Sequence, residues 1–285
     1  MEMAFRILYI TALAGMGGTG LGGVIGALLH RDSSKTVSLL LSFAAGVMLS
    51  VVCFDLVPGA ISPEGANSDT SIFLVAAGVA IGFIVIFVLN YLIDRNTNKE
   101  VSHIGKDHPK TADDINELYH VDHLVEHEKH DSSRSQLFVA GIVMAAAIAL
   151  HNLPEGMVIG ASFARGGGIA LSRSGFVIAT VIGLHNIPEG MAVAVPLISG
   201  GMPRFRAILT TALSGAPTIL GALIGYYLGL AGPMMLALSL SFASGAMLYV
   251  VVGELLPEAY LMLRSKAPAF GILVGALIGL ILVYV

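Results

Sequence analysis

Eight stretches of this sequence are apolar for long enough to cross a lipid bilayer, and nothing else limits the possible folds as strongly. A spanning helix needs roughly 20 mostly apolar residues. Cut at its polar or Gly/Pro-marked breaks, the sequence gives runs near 5–29, 37–60, 70–94, 135–163, 170–199, 205–230, 233–261 and 266–285, the last only just long enough. The composition agrees: 55% of residues are hydrophobic and 12% charged, and the mean hydropathy is +0.84, far from the charge content of a soluble domain. The expected fold is an all-α polytopic membrane protein. It forms a single transmembrane domain over 1–285, with 95–134 as a His-rich cytoplasmic loop. The first run, with Arg6 ahead of Ile7-Leu8-Tyr9-Ile10, has the look of a cleavable signal peptide. The internal repeat described below argues that it is retained.

Several function classes drop out early. The net charge of -4 sits mostly in one loop, whereas a nucleic-acid partner needs a basic face. The single cysteine, Cys53, excludes an internal disulfide and any thiolate cluster, and is expected to be an apolar core residue. The sequence has no Gly-x-x-x-x-Gly-Lys-Ser/Thr loop, so the chain itself has no such site for ATP.

Lys and Arg concentrate in cytoplasmic loops. Arg31, Lys35, Arg95, Lys99, Lys106, Lys110, Lys129, Arg134, Arg204, Arg206, Arg264 and Lys266 follow the odd-numbered runs, against Arg6, Arg165 and Arg173 on the other side. Both termini are therefore expected outside the cytoplasm of a cell (inner or plasma) membrane, and the long loop inside.

The chain also repeats itself at a spacing of about 200 residues. Thr11-Ala12-Leu13 returns as Thr211-Ala212-Leu213, and Ser42-Phe43-Ala44 through Asp55-Leu56 and Pro58 returns as Ser241-Phe242-Ala243 through Glu254-Leu255 and Pro257. Gly78 and Gly82 are matched to Gly275 and Gly279. Runs 1 to 3 thus correspond to runs 6 to 8, an odd number of crossings apart, so the triplets are expected to be inverted. Runs 4 and 5 form their own antiparallel pair at a spacing of 34. The expected architecture is three, two, three, with the central pair near the midplane, where inverted-repeat transporters place their substrate.

That central pair carries the chemistry. His151-Asn152-Leu153-Pro154-Glu155-Gly156-Met157 is written again as His185-Asn186-Ile187-Pro188-Glu189-Gly190-Met191. In a helix, His and Glu four apart share a face, and both bind divalent metals. Ionisable groups at membrane depth cost roughly 2.5 to 3.5 kcal/mol each on insertion scales. A lone His or Glu could be buried polar glue between helices; two complete copies are better explained by a shared divalent cation. Pro154 and Pro188 should kink their helices and free the carbonyls of Leu150 and Leu184. Gly156 and Gly190 permit close packing beside each kink, and Met157 and Met191 are expected to pack.

Two further sets stay open. Asp55 and Glu254 occupy equivalent places, each three residues before a proline, and are either way-stations for the ion or structural partners at a kink. In the loop, His120, His123, His127 and His130 would share a helical face, either as a cytosolic metal contact or within a charged linker.

The doubled His-Asn-x-Pro-Glu-Gly, on the fourth and fifth of eight runs with a His-rich loop before the fourth, resembles the ZIP (Zrt/Irt-like) family of divalent metal transporters, particularly its bacterial members. The resemblance implies movement of zinc, or of iron, manganese, cobalt or cadmium, into the cytosol as substrate rather than cofactor. It also implies a homodimer in the lipid bilayer. One metal would be held by His151, Glu155, His185 and Glu189, and a second by Asn152 and Asn186 with the glutamates as bridges. Similar sequences carry a glutamate on the sixth helix where this one has Thr218, so one strong site and a second weak or absent site are expected.

Other classes predict different behaviour. An intramembrane metal-dependent hydrolase would cleave a substrate, yet the chain lacks His-Glu-x-x-His. A metal-sensing receptor would bind without flux.

Overall fold

The computed structural model describes residues 2–28, 34–63, 65–97, 133–165 and 173–284, and among these every regular element is helical. Among the described residues, eight helices are long and apolar enough to cross a membrane: α1 (Phe5–Leu28), α2 (Lys35–Ile61), α3 (Ile72–Leu92), α4 (Gly141–Ala164), α5 (Gly175–Ser199), α6 (Arg204–Leu230), α7 (Pro233–Met262) and α8 (Ala267–Tyr284). The large apolar side chains left outside, such as Phe73 on α3 and Phe270 on α8, belong to faces suited to lipid.

The helices pack in matched couples. α4 lies along α6 as α5 lies along α1, α2 lies along α8 as α7 lies along α3, and α4 meets α5 at the centre. Without a hydrophobic drive between helices in lipid, small residues that let backbones approach hold such contacts. Gly22 of α1 faces the Ile187 carbonyl of α5, and Gly221 of α6 faces the Leu153 carbonyl of α4. Gly156 and Gly190 likewise face the carbonyls of Thr218 and Thr19. Gly15 and Gly215, from the two halves of the repeat, face each other.

The glycine pairs of α3 and α8 pack within the chain, but not in the register the sequence suggests. Gly82 faces the Phe242 carbonyl as Gly275 faces the Phe43 carbonyl, and Gly78 meets Ser241 as Gly271 meets Ser42. The structural match therefore slips one helical turn from the sequence match of Gly78 with Gly275. Gly recurs every turn here, so identity alone does not fix the register.

α4 and α5 continue as α-helix through Pro154 and Pro188. Departures from α-helical geometry are found in their neighbours. α1 widens into a π-helical turn at Leu13–Gly17, and α6 is interrupted between Ser214 and Pro217. α2 and α7 carry matching π-helical turns, Val52–Leu56 and Val250–Leu255, just ahead of Pro58 and Pro257. Such turns collect at functional sites. Cys53 is exposed on the outer face of α2 rather than in the core, because in a membrane the outside of the bundle is as apolar as its inside. Met157 and Met191 are core residues.

Candidate metal site

His151 and Glu155 from α4 and His185 and Glu189 from α5 meet where the two central helices cross, at 2%, 0%, 1% and 0% exposure. Their ion pairs run between the helices. Nε2 of His185 lies 2.8 Å from Oε1 of Glu155, and Nε2 of His151 lies 3.2 Å from Oε2 of Glu189. Each copy of the motif thus gives its carboxylate to the other copy's imidazole. Burying an unpaired ion costs several kcal/mol, and the reciprocal pairing offsets that cost in both halves at once.

The offset is incomplete. Oε2 of Glu155, Oε1 of Glu189 and Nδ1 of His185 are buried without a hydrogen-bond partner, and an unmet buried polar group costs about 1 to 3 kcal/mol, more when charged. Among the described residues, His151, Glu155 and Glu189 place one potential ligand atom each within 4.8 Å of one another. His185 touches this set through Glu155. Two imidazoles and two carboxylates suit zinc and its first-row neighbours.

Asn152 and Asn186 are wholly buried one residue after the histidines. The Asn152 amide donates to the Ser214 carbonyl of α6 over 3.1 Å, and the Asn186 amide donates to the Ala14 carbonyl of α1 over 3.3 Å. Ser214 and Ala14 lie at the two helix irregularities, where regular backbone pairing changes. The asparagines therefore tie the central pair to the flanking helices. Asn152 Oδ1 also accepts from Asn186 at 3.4 Å and from the Thr218 hydroxyl at 3.3 Å, whereas Asn186 Oδ1 has no partner. Thr218 is fully buried beside the site.

Glu254 of α7 reaches the site, with Oε2 at 3.3 Å from Nδ1 of His151. Asp55 stands at the equivalent place on α2, in the π-helical turn Val52–Leu56. His120, His123, His127 and His130 lie outside the described residues. Sequence reasoning missed the two carbonyls that the asparagines hold. Their signal was the small-residue runs Gly15-Met16-Gly17-Gly18 and Ser214-Gly215-Ala216-Pro217, which weaken a helix at one place in each half.

Comparison with known proteins gives one consistent result. Residues 4–283 match the model of a family described as the ZIP zinc transporter. A zinc transporter ZupT of Chlorobium luteolum is 36% identical over 256 residues, covering 88% of this chain and 87% of that protein. A ZupT of Chlorobium limicola is 34% identical over 91% of this chain and 90% of its own length. A zinc transporter ZIPB of Bordetella bronchiseptica is 32% identical over 92% of this chain and 75% of its own length.

Proposed function

This chain belongs to the ZIP zinc transporter family, and from that membership we propose that it carries zinc, with iron, manganese, cobalt or cadmium as further substrates, into the cytosol through His151, Glu155, His185 and Glu189. It is a multi-pass membrane protein and a transporter rather than an enzyme, with the metal as cargo. The observation that carries the site is the set of buried carboxylate oxygens without partners, on residues whose ligand atoms converge with His151 within 4.8 Å.

An arriving ion sheds water as His151, Glu155, His185 and Glu189 replace it, breaking the two interhelical ion pairs in the process. The site is then held by α4 and α5 alone, while α1 and α6 brace it through Asn186 and Asn152. Because α1 with α5 and α6 with α4 form matched couples, rocking one couple against the other opens the site to alternate sides, as inverted repeats do. The positive-inside rule supports both termini outside and the 95–134 loop in the cytosol. The membrane potential favours cation movement inward, by about 2.3 kcal/mol per charge per 100 mV when the whole field is crossed. Asp55 and Glu254 flank this route. Asn152 and Asn186 give any second ion only a loose hold, since Thr218 adds no carboxylate. The family resemblance supports a homodimer.

The deciding experiment is uptake into liposomes of purified protein with a zinc dye inside, comparing wild type with Glu155→Ala and Glu189→Ala. Zinc-dependent signal in the wild type and its loss in both variants is the expected result. Binding without flux would favour the receptor reading instead.

A further inference from the structure

The first turns of α1 and α6 share more than the buried face that packing requires. Phe5-Arg6 recurs as Phe205-Arg206, at the same spacing that relates Thr11-Ala12-Leu13 to Thr211-Ala212-Leu213. Packing accounts for the inner face. Thr11 and Thr211 are fully buried, and their hydroxyls donate to the carbonyls of Ile7 and Ala207 one turn earlier, at 2.7 and 2.8 Å. The Phe-Arg pairs lie on the outer face instead: Phe5 and Phe205 are 69% and 76% exposed, and both arginines are exposed. An exposed apolar stripe runs on from each pair, through Tyr9 and Leu13 on α1 and through Leu209 and Leu213 on α6.

α1 and α6 run antiparallel, with Gly20 against Ala212 and Gly23 against Thr211. Arg206 is therefore level with the last turn of α1, roughly 20 residues or about 30 Å along the bundle from Arg6. The hydrocarbon core of a bilayer is also about 30 Å thick.

We propose that Phe5-Arg6 and Phe205-Arg206 are matched binding sites for membrane phospholipids, one in each leaflet, where the arginine holds the phosphate and the acyl chains lie along the apolar stripe beside it. A guanidinium presents a planar fork of donors that fits phosphate oxygens two at a time. Its apolar stem lies along the stripe while its charged head stays among the headgroups. The inverted repeat writes the same pair at both membrane faces, so lipid holds the α1 and α6 pair at both ends. A second copy of the chain fits this surface less well, because a two-fold axis normal to the membrane would bring like arginines together at each face. The two sites are independent of the zinc site and of which face is cytoplasmic.

The test is the melting temperature of the full chain, purified in detergent, with phosphatidylglycerol or diacylglycerol of the same acyl chains added. Phosphatidylglycerol is expected to raise it more than diacylglycerol, which has the tails without the phosphate. Arg6→Gln and Arg206→Gln should each remove about half of that difference and the double variant all of it, since distant sites add. Lys266→Gln, exposed just ahead of α8, should leave it intact. Equal stabilisation by the two lipids, a double variant that keeps the difference, a loss confined to one arginine, or the same loss in Lys266→Gln each overturns the proposal. Arg6→Lys and Arg206→Lys keep the charge without the fork and should lose part of the difference. They decide the matter if the glutamine variants do not fold, an undiminished difference in both then overturning it. Cross-linking of Leu209→Cys between chains of a Cys53→Ser background in membranes would show a second copy on this face, and would overturn it too.

Discussion

Glu155 pairs with His185 on the neighbouring helix, Oε1 to Nε2 at 2.8 Å, and not with His151 one turn away on its own helix. The two motifs are therefore interlocked halves of one site, and an ion bound there must replace interhelical contacts rather than fill a gap between finished helices.

Removing one carboxylate from this lattice leaves a buried imidazole without its partner, which costs about 3 to 5 kcal/mol for a buried pair. Glu155→Ala and Glu189→Ala are expected to lower the melting temperature of the empty protein. Zinc at about 100 times its Kd should stabilise the wild type by about 2.7 kcal/mol and leave both variants unmoved. A thermal-shift titration reads both effects, and zinc stabilisation of Glu155→Ala equal to that of the wild type would remove this carboxylate from the site.

Protons and metal compete for the same atoms, because imidazole and carboxylate bind metal only when deprotonated. Zinc affinity should fall as pH drops from about 7.5 to about 5.5. Isothermal titration in buffers of different ionisation heat should also show protons released on binding. A flat profile with no released protons contradicts the His/Glu site.

Thr218 supplies a hydroxyl to Asn152 where a carboxylate would reach an ion. Zinc-soaked crystals of the wild type should give one strong anomalous peak between α4 and α5. Thr218→Glu should raise the second, near Asn152 and Asn186, toward full occupancy. Two fully occupied sites in the wild type would refute the weakening assigned to Thr218.

Gly156 packs so closely on the Thr218 carbonyl that even a methyl group must push α6 away, as one at Gly190 must push α1 away through the Thr19 carbonyl. Overpacking of this kind costs about 1 to 3 kcal/mol. Gly156→Ala should lower thermal stability and slow uptake, while Gly17→Ala, at an exposed position with nothing nearer than 3.9 Å, should do neither. Equal melting temperatures for the two variants would mean that the glycine contact is not tight in solution.

The His-rich segment carries His120, His123, His127 and His130 between α3 and α4. Its deletion is expected to change how uptake responds to internal zinc more than the maximal rate. Rate measurements on liposomes preloaded with zinc separate these effects, and complete loss of transport in a folded deletion variant would place the segment in the conduction path.

The sequence by itself determined the membrane-spanning helices, the doubled motif and the His and Glu residues proposed as ligands, because hydrophobic length and His/Glu spacing are properties of a single helix. It also carried the three, two, three grouping, since the repeat is written in residue identities. What the tertiary structure decided is which groups from different helices meet. Local periodicity puts His151 and Glu155 on one face, but the packing of α4 on α5 gives each carboxylate to the opposite histidine. The same holds for the asparagines, whose amides donate to the Ser214 and Ala14 carbonyls of two other helices. It holds for Glu254, whose contact with His151 depends on how the π-helical turn of α7 is set against α4. The physical reason is that helix register is fixed by where a glycine lets one backbone touch another's carbonyl. In glycine-rich helices several registers satisfy the sequence, and only the assembled bundle selects one.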